Sequence, residues 1–402
     1  ATRLDRNINF NWDKVIGVVP GLPRNNWSVR WSGTLTPPAP GTYKIGVRIN
    51  TCYACENQEG FRLFLDGKLL TQNSGKTAER GAAFEVPVNF TDTNPHPIKL
   101  EYLHATGSAG IDLTWEAPAA ALREEAVAAA KQSDVTIAFV GLSPALEGEE
   151  MPVHLEGFSG GDRTSIDLPA VQDDLLKAVA ATGKPLIVVL QNGSALAVNW
   201  AAQNAAAILE AWYPGEAGGT AIAETLAGDN NPAGRLPLTF YSSLSQLPAF
   251  EDYAMKDRTY RYFTGQPLFT FGYGRSYTSF AYSHLKLPAS INAGDPITIE
   301  AELKNTGSRA GDEVAELYLT QPRGDDTPQR ILAGFQRVHL AAGETKHITL
   351  TITPRSLSQV DAEGNHVILS GDYTLSLGST QPGISPTLTG HFTVTGRQQL
   401  PK

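Results

Sequence analysis

Through the first 118 residues, apolar and polar positions alternate with a period of two. The stretches Ser28-Val29-Arg30-Trp31-Ser32-Gly33, Thr42-Tyr43-Lys44-Ile45-Gly46-Val47 and Ile98-Lys99-Leu100-Glu101-Tyr102 each send successive side chains to opposite faces, and Gly and Pro clusters separate them. Short alternating strands divided by turns predict a β-sandwich over 1–118.

The pattern changes at Ala117-Pro118. An Ala- and Glu-rich amphipathic stretch predicts a helix over 121–132, and the apolar run Val135-Thr136-Ile137-Ala138-Phe139-Val140 predicts a buried strand. The alternation repeats as a helix over 170–181, a strand over 186–190, a helix from 195, a strand over 207–211 and a helix over 217–226. Strands that are continuously apolar imply a mainly parallel sheet covered on both faces, hence an α/β sandwich over 119–282. Period-two alternation returns in Ile297-Thr298-Ile299-Glu300-Ala301, Val314-Ala315-Glu316-Leu317-Tyr318 and His347-Ile348-Thr349-Leu350, which predicts an immunoglobulin- or fibronectin-like β-sandwich over 283–402.

Composition narrows the classes of function. With 41% apolar and 18% charged residues, every segment can bury a core. A net charge of -9 leaves no basic face to follow phosphates, so nucleic acid is not an expected partner. No stretch has the length of apolar residues that a membrane span needs, so no membrane role is expected. The chain starts at Ala1 without a signal-peptide pattern and runs straight into Asn7, Asn9, Asn11 and Trp12, which reads as a processed or cut polypeptide. Cys52 and Cys55 are too few for a disulfide scaffold or a four-ligand zinc site. A strand-like stretch follows them where a thioredoxin-type motif needs a helix, leaving a local disulfide or a free pair.

In an open parallel sheet, ligands bind beyond the carboxyl ends of the strands. That rule directs attention to the long connection from Gly141 to Pro169, where a loop of roughly 2–6 residues would suffice. It carries Glu147, Glu149 and Glu150, then His154, Asp162 and Arg163. If 146–150 is extended, Glu147 and Glu149 project to one side and Glu150 to the other. Carboxylates that close raise one another's pKa, so one can hold a proton near neutral pH and act as a general acid. The alternative is a solvated acidic turn. His154 either positions a ligand or is a plain loop histidine, and no set of residues has metal-ligand spacing, so neither metal nor cofactor is expected. Asp162 and Arg163 either bind sugar hydroxyls or pair with each other. Asp257-Arg258-Thr259-Tyr260-Arg261-Tyr262-Phe263 suits sugar recognition or an interdomain clamp. Gly215-Glu216-Ala217-Gly218-Gly219 lacks the lysine and serine of a P-loop, which leaves close packing against the sheet as the use of its glycines, and Ser194 stands where a helix N-cap is expected.

Residues 119–281 resemble the second domain of glycoside hydrolase family 3, the β-glucosidases and β-xylosidases. The matching stretches are Leu146-Glu147-Gly148-Glu149-Glu150, Gly161-Asp162-Arg163, Leu190-Gln191-Asn192-Gly193-Ser194, Ala211-Trp212-Tyr213-Pro214-Gly215, Gly234-Arg235-Leu236-Pro237 and Phe271-Gly272-Tyr273-Gly274-Arg275-Ser276-Tyr277. Residues 283–396 are similar to that family's fibronectin-type tail through Lys304-Asn305-Thr306-Gly307 and Leu332-Ala333-Gly334-Phe335. Residues 1–118 look like the protective-antigen-type β-sandwich that some members insert, through Arg30-Trp31-Ser32-Gly33, Phe64-Leu65-Asp66-Gly67 and Gly110-Ile111-Asp112-Leu113-Thr114-Trp115.

The resemblance implies a retaining, exo-acting β-glycosidase in which a separate N-terminal (β/α)8 barrel supplies an aspartate nucleophile and this chain the acid/base glutamate. It places that role on Glu149, with Glu147 and Glu150 as rivals, and implies a β-linked oligosaccharide or aryl glycoside as substrate, glucoside or xyloside. It further implies that the chain is a C-terminal fragment working with its N-terminal part, in the periplasm or secreted. A homodimer stays open. The rival from another class is a carbohydrate-binding or assembly module without a catalytic task. In the inserted sandwich Trp27, Trp31 and Tyr53 either shape the site entrance or pack in the core, and the adjacent aspartate pair of calcium-dependent lectin relatives is absent near Asp66.

Overall fold

The computed structural model describes residues 2–12, 23, 25–49, 59–74, 83–106, 109–144, 146–147, 155–322 and 327–401. They form two compact units, Ala1–Gln132 and Ser133–Lys402.

The first unit is built from two antiparallel four-stranded sheets. One orders the strands Asn9–Asn11, Gly110–Glu116, Gly41–Ile49 and Ala83–Phe90; the other orders Trp27–Leu35, His96–His104, Glu59–Leu65 and Lys68–Ser74. Alternation explains the core, since Tyr43, Ile45, Val47 and Ile49 from one sheet and Phe61, Leu63, Leu100 and Tyr102 from the other are all buried. Trp27 belongs to this core, and Trp31 donates its indole N–H to Asp5 at 2.9 Å while its ring stacks on Phe10. Packing accounts for both tryptophans; Tyr53, Cys52 and Cys55 lie outside the described residues. The helix Ala119–Gln132 ends the unit.

The second unit opens with a three-stranded parallel sheet in the order Ala207–Glu210, Leu186–Gln191, Thr136–Gly141. Its central strand is buried on both faces through Leu186, Val188, Val189 and Leu190. The edge strand departs from the sequence expectation of cover on both sides, because Ile137 and Phe139 remain 43% and 54% exposed. The connecting helices are Ala170–Ala180, Asn199–Asn204 and Gly218–Ala227. The second helix starts four residues later than its pattern suggests: Ala197 is extended, donating its N–H to Ile166 O at 2.8 Å and forming a bridge with Asp167. Ser194 is therefore not its cap; Val198 is. Gly218 owes its small size to Pro214, whose Cβ would lie 2.3 Å from an added methyl, rather than to the sheet.

Two further sheets face each other at the C-terminus. One orders Phe280–Lys286, Ile297–Asn305 and Thr345–Ile352; the other orders Ser290–Asn292, Leu388–Thr395, Gly371–Gly378, Gly311–Thr320 and Ile331–Leu340. Their inward residues, among them Ile297, Ile299, Leu317, Leu319, Leu350 and Leu375, form a second core. Polar contacts tie this sandwich to the α/β part. The Arg235 guanidinium reaches Glu313 at 3.1 Å and Ser379 O at 3.1 Å, and the Gln329 amide donates to Tyr262 O and Phe263 O at 3.0 Å each. The Tyr260 hydroxyl accepts from Leu332 N–H at 3.1 Å and its ring meets Tyr318 edge-on, so the 257–263 stretch takes part in an interdomain clamp. Among the described residues no helix is long and apolar enough to cross a membrane.

Candidate active site

Three turns leave the carboxyl ends of the three parallel strands, and their side chains converge. The turn after Thr136–Gly141 brings in Glu147. Leu146 N–H and Glu147 N–H both donate to Ser143 O, at 2.8 and 3.1 Å, so the condition of an extended 146–150 is not met at its start, which is a tight turn. Glu147 is thereby directed at the turn after the central strand, whose Gly193 N–H donates to its Oε2 at 3.3 Å and whose Ser194 hydroxyl donates to its Oε1 at 2.5 Å. A third donor comes from the turn after Ala207–Glu210: the Tyr213 hydroxyl bonds Glu147 Oε2. Both carboxylate oxygens are therefore engaged. Burial, and then the neighbouring Glu147 carboxylate, hold the Tyr213 phenol well above its ordinary pKa, so it stays a donor.

Glycine is required in this packing. A methyl at Gly193 would stand 2.8 Å from Tyr213 Cε2 and 3.3 Å from Glu147 Oε2, too close for the ring and the carboxylate to keep their places.

Arg163 braces the same cluster from the far end of the long loop. The short strands Phe158–Ser159 and Asp162–Arg163 pair as a hairpin whose turn is Gly160-Gly161. Their φ values of 60° and 94° suit the tight two-residue turn that glycine adopts without strain. From this hairpin Arg163 donates to the Ser194 hydroxyl at 3.0 Å, Ala195 O at 3.1 Å and Asp167 O at 3.2 Å. Burial lowers the guanidinium pKa, opposed by Glu147 and Asp167. Arg163 thus pairs with the Ser194 turn rather than with Asp162, which is exposed.

Glu210, which the sequence reading did not single out, closes the arrangement. It is the last residue of its strand; its Oε1 accepts from Trp212 N–H at 3.1 Å and its Oε2 from the Asn192 amide at 3.3 Å. Burial pushes its carboxyl up to about 7 against the pull of those two donors. Of the residues singled out in the loop, the structure brings Glu147 and Arg163 together around Ser194. Glu149, Glu150 and His154 lie outside the described residues. Among the described residues no group of three His, Cys, Asp or Glu side chains is placed to hold a metal ion.

Residues 16–277 match the glycosyl hydrolase family 3 C-terminal domain, and residues 313–381 match a fibronectin type III-like domain. A xylan 1,4-β-xylosidase of Xylanibacter ruminicola is 38% identical over 86% of this chain and 39% of its own length. A β-glucosidase of Rhizobium radiobacter is 30% identical over 92% of the chain and 47% of its own length. Among solved structures, the Kluyveromyces marxianus β-glucosidase in complex with glucose aligns with a TM-score of 0.72 at 25% identity, over 95% of this chain and 46% of that one. The chain thus spans less than half the length of these relatives.

Proposed function

Because this chain belongs to glycosyl hydrolase family 3, carrying its C-terminal domain and a fibronectin type III-like domain, we propose that it supplies the general acid/base of a retaining exo-β-glycosidase. The substrates are terminal β-D-glucosyl or β-D-xylosyl residues of oligosaccharides or aryl glycosides, matching relatives named for both activities. The nucleophilic aspartate comes from an N-terminal barrel, since the relatives carry more than half their length outside the matched stretch.

The observation that carries this reading is the grip on Glu147. A carboxylate whose two oxygens accept from Gly193, Ser194 and Tyr213 has no free oxygen to protonate a glycosidic oxygen. Its role is to fasten the loop; the resemblance to the family's Glu-x-Glu loop assigns the acid to Glu149, with Glu150 as its rival. Glu149 donates its proton to the glycosidic oxygen while the aspartate attacks the anomeric carbon and the alcohol departs. The resulting Glu149 carboxylate then takes a proton from water, which hydrolyses the glycosyl ester with net retention. Asp162 and His154, on the same loop, are assigned to sugar hydroxyls. A periplasmic or secreted location is part of the proposal, supported by a relative named periplasmic β-glucosidase in Salmonella typhimurium.

The test is Glu149→Ala in the full-length enzyme. Turnover of nitrophenyl β-glucoside and β-xyloside should fall roughly 10²–10⁴-fold, with azide restoring turnover of the activated substrates. Loss in Glu150→Ala alone would transfer the role to Glu150. No loss in any of the Glu147, Glu149 and Glu150 variants would make the chain a carbohydrate-binding module.

A further inference from the structure

Two turns supply the donors that hold Glu147: 192–194 after the central strand and 211–213 after the third. Neither is fixed by its own strand alone. Trp212 lies in the left-handed region at φ 53°, which a bulky side chain adopts only when its surroundings hold it there. Asn192 is fully buried, and its amide donates both to Ser194 O at 2.9 Å and to Glu210 Oε2. Glu210 bonds both turns with one carboxylate, Oε1 to the Trp212 backbone and Oε2 to Asn192. The residue after Trp212 is Tyr213, whose ring lies against Gly193 and whose hydroxyl reaches Glu147.

We propose that Glu210 is a positioning residue for the acid loop: by accepting from both turns at once it sets their spacing, and through Tyr213 and Ser194 it fixes Glu147, two positions before the Glu149 assigned above. This rests on the assignment of Glu149 above. The chemistry explains why a carboxylate occupies this position. Two donors converge from different segments, and only a group with two acceptor oxygens meets both. A glutamine keeps one acceptor and turns its own N–H2 toward either Trp212 N–H or the Asn192 amide, so one turn is released. Apart from a glutamate at the end of an apolar strand, the sequence carries no sign of this task.

Two measurements test it. In the full-length enzyme, Glu210→Gln should lower kcat/KM roughly tenfold more on an oligosaccharide or alkyl glycoside than on a dinitrophenyl glycoside, the size expected from one lost charged hydrogen bond. Dinitrophenolate departs without protonation, so a fault confined to the acid shows only with the poorer leaving group. Equal losses on both substrates, or none, would overturn the proposal. In the same full-length enzyme, hydrogen exchange of Glu210→Gln should speed up in 141–147 and 211–213 while the C-terminal sandwich is unchanged; unaltered exchange in those turns would also overturn it. Glu149→Ala is run alongside. If it shows no leaving-group dependence, the acid assignment fails, and the exchange experiment alone then decides whether Glu210 positions the loop.

Discussion

Glu147 has three donors of different kinds, and they are not equivalent. The Gly193 N–H is fixed by the backbone, and the Ser194 hydroxyl is shared with Arg163, so it stays oriented if another partner is lost. The Tyr213 hydroxyl arrives from a separate turn and is the only link in this set between 211–213 and Glu147. Tyr213→Phe keeps the ring against Gly193 and removes that link alone. It should cost about 1–2 kcal/mol, as for a partly buried hydrogen bond to a charged group, read as a lower midpoint in urea unfolding of the chain. An unmoved midpoint would mean that Gly193 and Ser194 hold the carboxylate by themselves. At this scale the sequence was half legible. The carboxylates and Arg163 announce themselves by type and by sitting on an overlong loop. Ser194, Tyr213 and Glu210 do not, because their task arises only when three strand ends meet. Each nonetheless lies at or just past the carboxyl end of a parallel strand, and the rule that singled out the first loop finds them when applied to all three.

Among the elements, the parallel sheet was the most legible, since its strands are runs such as Leu186-Ile187-Val188-Val189-Leu190 that fit no solvent-facing pattern. The helix after the central strand was less so. Its apolar and small residues begin at Ala195, but a tertiary bridge to 166–167 keeps 195–198 extended, and local periodicity cannot report a partner thirty residues away. The Gly160-Gly161 turn was visible as a glycine pair, though not as the device that aims Arg163. Gly160 has open space around its Cα and φ of 60°, so a substitution there meets no clash and pays only for backbone conformation. Gly160→Ala should cost about 1 kcal/mol, and Gly160→Asn clearly less, because asparagine tolerates the left-handed region. Denaturation midpoints of both variants check the ordering. Equal costs would show that the turn has relaxed to another geometry.

Across the whole second unit, the C-terminal sandwich and the α/β part share a buried polar contact whose pH response can be worked out. Glu313 is 1% exposed and takes Arg235 at 3.1 Å and the Tyr282 hydroxyl at 3.0 Å. Glu316, three residues on and 4% exposed, accepts from the Tyr318 hydroxyl at 2.6 Å and lies where a side chain on Gly272 would stand. With Arg235 bonded to Glu313, burial dominates at Glu316 and pushes its carboxyl up from 4.5 to about 7. An unfolded chain releases this proton near 4.5, whereas the fold keeps it until about 7. Between those values the folded state holds the extra proton, so stability is greatest below about 4.5 as far as this group is concerned, falls as pH rises through the window, and levels off above about 7. The full swing is roughly 3 kcal/mol. Glu316→Gln has nearly the same shape, can still accept from Tyr318, and carries no titrating proton. The variant should match the parent at about pH 4, below the window, and exceed it by up to about 3 kcal/mol at pH 7.5, in urea unfolding followed at both pH values. Parallel pH curves for the two proteins would mean that Glu316 is already ionised across the range, with its charge met by Arg235 alongside Glu313. The interface would then be a salt-bridged triad in place of one ion pair beside a neutral acid.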